Sequence, residues 1–293
     1  MTIFRLAQET DLAQAYDVFY QNEIIDTPAP PAPGNIPSTL RHILKTGTMY
    51  VAEQDGRILA FASAITRDHI TFLTDMFVRP GQQSARLGKT LLQHVLPPNE
   101  HIRCTMSSTD PRALALYIRS GMQPQWPNFC LRLNGPIRGN LPTTDIEIVE
   151  GQAGDPEFVR WDAQVSGRSR PIDHTYWIRE QRAIPLWFQR QGNTIGYGYI
   201  RLGAGTLWYP EACTLGPIGT RTPEDATACV LAAVGWARDH AKVLLIKVPG
   251  PHPSLAPLLN LGFHITYVET FVSTATTSFF DARCFISSGY DLF

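Results

Sequence analysis

Apolar and polar positions along the chain fall into short runs with two different periods. Leu73 to Val78 is apolar apart from Thr74 and Asp75, which predicts a strand buried on both faces. Pro80 and Gly81 end it. Gln82 to Gly88 is small and polar, and Leu91, Leu92 and Val95 then recur at helical spacing. The stretch from Leu73 to Leu92 therefore predicts a strand, a loop and a helix. Such a junction aims several backbone N–H groups at one spot, and the helix dipole adds positive potential there. A phosphate or pyrophosphate fits such a place. The loop carries one glycine where phosphate loops carry two or three, so an ordinary strand–turn–helix explains the stretch equally well.

The same reading extends along the chain. Ile3 to Ala7 predicts a first strand, and Thr10 a cap for a helix whose Leu12, Ala15, Tyr16 and Phe19 share a face. Asp26 to Pro37 is rich in proline, which blocks both helix and central strand. Ser38 predicts the start of a short helix to Lys45. Met49 to Glu53 and Arg57 to Ile65 predict a hairpin across Asp55-Gly56. Beyond the organising stretch, Ile102 to Met106 predicts a strand and Pro111 to Met122 a helix closed by Gly121. Gln125 to Leu133 predicts a closing strand pair.

Asn134 to Thr144 is rich in Gly, Pro, Thr and Asn and predicts a linker. After it the order repeats: strand 146–149, helices 157–165 and 174–182, a hairpin through Gly192, strand 206–216, helix 223–240, strand 243–248 and helix 254–261. Gly56 with Gly192, and Gly121 with Gly262, imply a duplicated domain, since a period of about 140 residues is far longer than a solenoid repeat. The expected division is 1–134, a linker at 135–143, and 144–293. Each half is expected to be α/β, a mixed, mainly antiparallel sheet flanked by helices.

Composition narrows the function classes. The formal net charge is -1 and no block of like charge occurs, so neither nucleic acid nor an anionic membrane is favoured as partner. No apolar run has transmembrane length. The N-terminus lacks the layout of a secretory signal. The five cysteines are scattered and without metal spacing, and no metal site is expected. Reduced thiols and a cytoplasmic setting follow as the expectation.

Three stretches carry a family resemblance in the first half: the hairpin DGRILAFASA, the junction VRPGQQSARLGKTLL, and DPRALALYIRSGM. In this order they resemble the GCN5-related N-acetyltransferase (GNAT) superfamily. The second half carries GNTIGYGYI, CTLGPIGTRTPEDATACVLAAV and LAPLLNLGFHI in corresponding places. The whole chain is thus similar to a tandem GNAT protein, two GNAT-like domains in one chain.

The resemblance implies acetyl-CoA as co-substrate and an amine as acceptor, attacked directly without a covalent enzyme intermediate. It implies that Met76, Phe77 and Val78 offer main-chain groups to the pantetheine arm. It implies that Gln83, Ser84, Ala85, Arg86, Leu87, Gly88 and Lys89 surround the pyrophosphate, with Asp110 near the pantetheine. Tyr117 matches the family's proton donor to the departing thiolate, and Asp75 the carboxylate that accepts the amine proton. Three departures stand out. Arg86 replaces the first motif glycine, Asp110 an asparagine, and Met122 a phenylalanine. In the second half Leu258 stands where Tyr117 does, and Glu224 and Asp225 sit at the phosphate end of the helix. That half is expected to be catalytically degenerate. The Trp and Tyr residues of the second half read as packing, and Arg168-Ser169-Arg170 as an exposed basic turn. A small-molecule amine is the expected acceptor, with the chain a monomer or homodimer. The reading from another class is a non-catalytic acyl-CoA-binding or scaffold protein. Tyr117→Phe separates the two, because only an enzyme loses turnover.

Overall fold

The computed structural model describes residues 1–82, 86–98, 100–289 and 292–293. The chain divides into two compact units, Met1–Thr105 and Met106–Phe293.

The first unit opens with β1 (Ile3–Leu6), a short 3-10 turn at Glu9–Asp11, and α1 (Leu12–Glu23). The expected cap Thr10 lies inside that turn. The cap is instead reciprocal between Gln8 and Asp11, whose carboxylate accepts the Gln8 N–H at 2.7 Å. Then come α2 (Ser38–Thr46), β2 (Thr48–Gln54), β3 (Arg57–Arg67), β4 (Ile70–Val78), α3 (Leu87–Val95) and β5 (Ile102–Ser107), the last crossing the division. The strands lie in the order β1-β2-β3-β4-β5. All neighbours are antiparallel except β4 and β5. The β2–β3 hairpin turns through Asp55 (φ +51°) and Gly56 (φ +77°), the left-handed pair a type I′ turn requires. Leu91, Leu92 and Val95 form the buried face of α3 as their spacing predicts, and Leu87, expected in the loop, joins them.

The second unit contains α4 (Pro111–Arg119), β6 (Gln123–Asn134), β7 (Glu147–Glu150), α5 (Pro156–Ser166), α6 (Pro171–Arg179), β8 (Ile184–Arg190), β9 (Asn193–Arg201), β10 (Cys213–Thr220), α7 (Pro223–Arg238), β11 (Val243–Pro249), α8 (Leu255–Asn260), β12 (His264–Ser273) and β13 (Phe285–Ile286). Its strand order is β12-β6-β11-β10-β9-β8-β7, with β13 paired to β10. The expected strand pair at Gln125–Leu133 is one long strand, β6. Its two neighbours are β11 and β12, from the far end of the sequence. Pro124 does not stop it, because a register shift against β12 falls beside that residue. The expected strand at 206–216 starts only at Cys213. Gly203, Gly205 and Pro210 hold the preceding residues in turns, with an isolated bridge between Thr206 and Tyr209. The core of this unit packs Leu131, Leu133, Leu186, Phe188, Leu215, Val230, Val234, Leu244, Ile246 and Leu258 between sheet and helices.

The tail joins that core through Ile286. Phe285, Ile286, Leu292 and Phe293 are all buried. At roughly 1.5–3 kcal/mol for each large apolar side chain, their burial contributes about 6–12 kcal/mol. That is comparable with the net stability of a whole domain.

Candidate functional site

In the first unit β4 has two kinds of neighbour. From Ile70 to Phe72 it pairs with β5, opposite Ile102, Arg103 and Cys104. From Asp75 to Val78 its described partner within the unit is β3 alone. The change falls at a β-bulge. Ala64 faces Leu73 and Ser63 faces Asp75, so Thr74 is the extra residue. Burial changes at the same point: Ile70–Leu73 are buried and Thr74–Val78 half-buried. A bulge re-aims the strand, so β4 leaves β5 and bares one edge.

The ladder fixes which groups reach that edge. Arg79 donates its N–H to Leu59 of β3 at 2.8 Å. Alternation along an antiparallel pair then turns the main-chain groups of Met76 and Val78 away from β3, and those of Phe77 toward it. Asn22 of α1 takes up the Val78 carbonyl at 3.1 Å. The Phe77 ring stacks on Phe61 and meets Phe19 edge-on. Arg79 is anchored by Asp17, Gln21 and the Ile58 carbonyl, so it fixes the strand end to β3 and α1.

Asp75 stands one residue past the bulge. The Ser63 hydroxyl donates to its Oδ2 at 2.6 Å, the short length of a bond to a charged carboxylate. Thr74 Oγ1 lies 2.7 Å from the same hydroxyl and donates to the Ser63 carbonyl at 3.0 Å. Ser63 is buried and belongs to a strand that is apolar in pattern. Sequence reading passed over it, although a lone serine at a buried strand position needs a polar partner.

Among the described residues the helix that follows has no side-chain cap. Arg86 precedes it at φ +59°, a left-handed backbone that glycine adopts more cheaply. The first-turn N–H groups of Leu87, Gly88 and Lys89 therefore point out of the helix end without an intrahelical acceptor. Arg86 and Lys89 are exposed, and Leu87 sends its side chain into the core, leaving only its main chain for a ligand. Gln83, Ser84 and Ala85 lie outside the described residues. A strand edge that β5 leaves is thus followed in the chain by a helix N-terminus carrying two exposed cations, the kind of place that draws an anion.

Asp110 and Tyr117 belong to the second unit. Asp110 caps α4, accepting from the Arg112 N–H at 2.8 Å and pairing with the Arg112 side chain at 2.8 Å. The Arg112 guanidinium holds this carboxyl below the usual carboxylate range. Tyr117 is the buried residue of α4. Its carbonyl accepts the Met122 N–H, and Gly121 closes the helix at φ +94°. Leu258 repeats this arrangement: its carbonyl accepts from Phe263, and Gly262 has φ +99°. The two positions are structurally equivalent, so the second half has a leucine where the first has a phenol.

The second half repeats the splayed strand with different contents. β10 pairs in parallel with β11 from Cys213 to Leu215. Ile200 faces Leu215 and Gly198 faces Ile218, so again one extra residue follows the last parallel pair. Both neighbours give one superposition: Phe72 matches Leu215, Asp75 matches Ile218, Met76 matches Gly219 and Phe77 matches Thr220. Ser63 matches Gly198. The Ser63–Asp75 pair thus becomes glycine and isoleucine, with no group to take a proton. The helix ends differ too. Thr222 points its hydroxyl at Asp225 (3.0 Å), Pro223 lacks an N–H, and Arg190 occupies Asp225. Arg221 lies 3.9 Å over the Trp161 ring.

Arg168 and Arg170, expected in an exposed turn, are buried. Arg170 holds Asp162 with two bonds of 2.6 and 2.7 Å. Tyr197 donates to the same carboxylate, and both arginines donate to the main-chain oxygen of Phe293. The guanidinium keeps the Asp162 carboxyl far below its ordinary value against the cost of burial, which lifts the phenols of Tyr197 and Tyr199. Of the aromatic residues of this half, Trp161, Trp177, Tyr176, Tyr197 and Tyr199 are buried as the sequence suggests, whereas Trp208 is exposed.

Comparison with known proteins places the fold. Residues 45–123 match the family described as an acetyltransferase (GNAT) domain. A search of curated proteins gives no match. Among solved structures, the chain is similar to a proposed acetyltransferase from Pyrococcus horikoshii, at TM-score 0.75 and 14% identity, over 99% of this chain and 95% of that one. A GCN5-related N-acetyltransferase from Sphaerobacter thermophilus matches at TM-score 0.65 and 15% identity, over 93% and 95% of the two chains. A tandem GNAT protein from the clavulanic acid biosynthesis pathway matches at TM-score 0.63 and 14% identity, over 95% and 100%. The fold is that of two GNAT-like domains in tandem. No helix among the described residues is long and apolar enough to cross a membrane, and no cluster of metal-binding side chains occurs among them.

Proposed function

We propose that this chain, a tandem of two GNAT folds, is an N-acetyltransferase whose first unit receives acetyl-CoA along β4 and passes the acetyl group to the primary amine of a small molecule. One coincidence carries the reading: β4 parts from β5 at the Thr74 bulge, and the bared edge runs toward the uncapped start of α3. Acetyl-CoA supplies an acyl thioester. Met76 and Val78 present main-chain groups to its arm, and the Met76 N–H is the donor placed to polarise the thioester carbonyl. Leu87, Gly88 and Lys89 present N–H groups to the pyrophosphate, with Arg86 and Lys89 adding charge. Asp75, held by Ser63, accepts the proton of the attacking amine. The nitrogen bonds to the acyl carbon, the carbon–sulfur bond breaks, and the Tyr117 hydroxyl protonates the thiolate, a role that rests on its family position. The products are an amide and the free thiol of CoA.

The duplicated halves are assigned as 1–134 and 144–293, joined by 135–143, with the second half degenerate. All five cysteines are free and buried, which fits a reducing cytoplasm. The test is titration calorimetry with acetyl-CoA on the native chain and on Gly88→Trp, whose indole fills the phosphate end of α3. Binding to the native chain that is lost in the variant is expected. Equal binding to both proteins would move the cofactor elsewhere. A screen of small amines for CoA thiol release, with Tyr117→Phe as control, then tests transfer.

A further inference from the structure

The tail of the chain lies at the place in the second unit that matches the cofactor edge of the first. Ile286 pairs with Ile218 and Phe285 with Gly219. The Thr220 N–H donates to the Cys284 carbonyl at 3.0 Å. Ile218, Gly219 and Thr220 are the counterparts of Asp75, Met76 and Phe77 by register against the antiparallel neighbour, so the tail runs along the corresponding edge. The N–H it engages there belongs to the counterpart of Phe77 and not of Met76. The contact is shaped for this occupant. Gly216 has φ +133°, and a Cβ there would stand 2.2 Å from the Ser287 carbonyl oxygen. Gly289 has φ +120°, and a Cβ there would stand 2.9 Å from the Arg201 guanidinium. Farther on, the Phe293 ring packs among Phe271, Phe279, Phe280 and Phe285, under the Arg168 guanidinium. Arg168 and Arg170 fix its main-chain oxygen.

We propose that the segment Cys284–Gly289 of the chain's own tail is a permanent tethered occupant of the second unit's cofactor slot. It replaces the acyl-CoA arm there, so the protein takes up one acyl-CoA per chain. The identification of the slot rests on the reading of β4 as the cofactor edge. The tail meets the strand as an extended chain would, through main-chain pairing along one edge. Unlike a lid, it is anchored at both ends by buried groups, with no exposed residue from Cys284 to Gly289. A duplicated site that loses its cofactor leaves a bared strand edge and an apolar cleft, and the tail satisfies both.

The test uses the intact protein. Cys284 is a buried thiol on the inserted segment, and Cys213 and Cys229 are buried thiols of the same unit's core. Iodoacetamide labelling under native conditions, read by peptide mass spectrometry, compares the three. A permanent occupant predicts that Cys284 labels within about threefold of Cys213 and Cys229, with that ratio unchanged by saturating acetyl-CoA. Labelling of Cys284 more than tenfold faster than the core thiols overturns the proposal, because the tail then opens separately. So does a ratio that shifts with acetyl-CoA. Calorimetric stoichiometry gives the second readout. One equivalent is expected, and two overturn the occupied slot. Zero overturns the acetyl-CoA reading of the first unit instead, and the labelling ratio still decides whether the tail is fixed.

Discussion

Replacing Arg170 by methionine should be among the most damaging single changes in the second unit. Arg170 is 1% exposed and Asp162 is fully buried. Their two bonds, at 2.6 and 2.7 Å, provide the cation for a carboxylate that has no water to turn to. Methionine keeps the length and apolar stem of the side chain but leaves Asp162 charged and buried. Stranding one partner of a buried pair costs about 3–5 kcal/mol. The Phe293 oxygen also loses one of its two donors, which adds about 1 kcal/mol for a hydrogen bond. Tyr197 still donates to Asp162, which holds the loss toward the lower figure. The assay is urea unfolding followed by circular dichroism at neutral pH. With slopes of about 1–3 kcal/mol/M, the midpoint should fall by more than 1 M. Arg170→Met combined with Asp162→Asn removes both charges, so it should recover at least half of the loss. A single variant that costs under about 1 kcal/mol would refute the argument. So would a double variant no more stable than the single one, since the damage would then come from packing rather than from an orphaned charge.

Other outcomes follow from separate parts of the molecule. Asp75→Asn should lower turnover by about 10²–10⁴-fold while acetyl-CoA binding by calorimetry is retained, as loss of a general base does; unchanged turnover removes Asp75 from the reaction. His252 is buried beside Ser254, and burial pushes its pKa down to about 4. Its folded value lies below the unfolded one, so the unfolded chain binds more protons between pH ~6.5 and ~4, and stability falls as pH falls through that window, by about 1.4 kcal/mol per unit. Replacing His252 by glutamine should flatten that part of a stability–pH curve measured by urea unfolding, and an unchanged slope would assign it to other groups. Gly216→Ala should cost at least about 1–2 kcal/mol from its left-handed backbone alone, before the clash with Ser287, in a thermal melt.

The junction at Leu73–Leu92 was legible because its signals are local. Strand period, Pro-Gly stop and helical spacing each arise within a few residues, and β4 and α3 formed where they point. The Asp55-Gly56 hairpin and the Gly121 and Gly262 helix ends were legible for the same reason, since each depends on a backbone angle that residue type controls. Duplication was visible as the recurrence of these signals. Leu258 could be matched to Tyr117 from spacing, and equivalent helix ends carry the match.

What packing decided was partnership. Nothing near Asp75 in the sequence names Ser63, and nothing near Arg168 or Arg170 names Asp162 and Phe293. A basic pair in a polar context reads as exposed until a carboxylate 8 residues before Arg170 and a chain segment 123 residues after it arrive together. The place of β6 between β11 and β12, and of β13 beside β10, was equally out of reach, because strand pairing joins residues far apart in the sequence. Local sequence set each backbone conformation through short-range sterics and hydrophobic period. The tertiary fold alone decided which edges were bared and which charges were buried, because those depend on what the rest of the chain brings alongside.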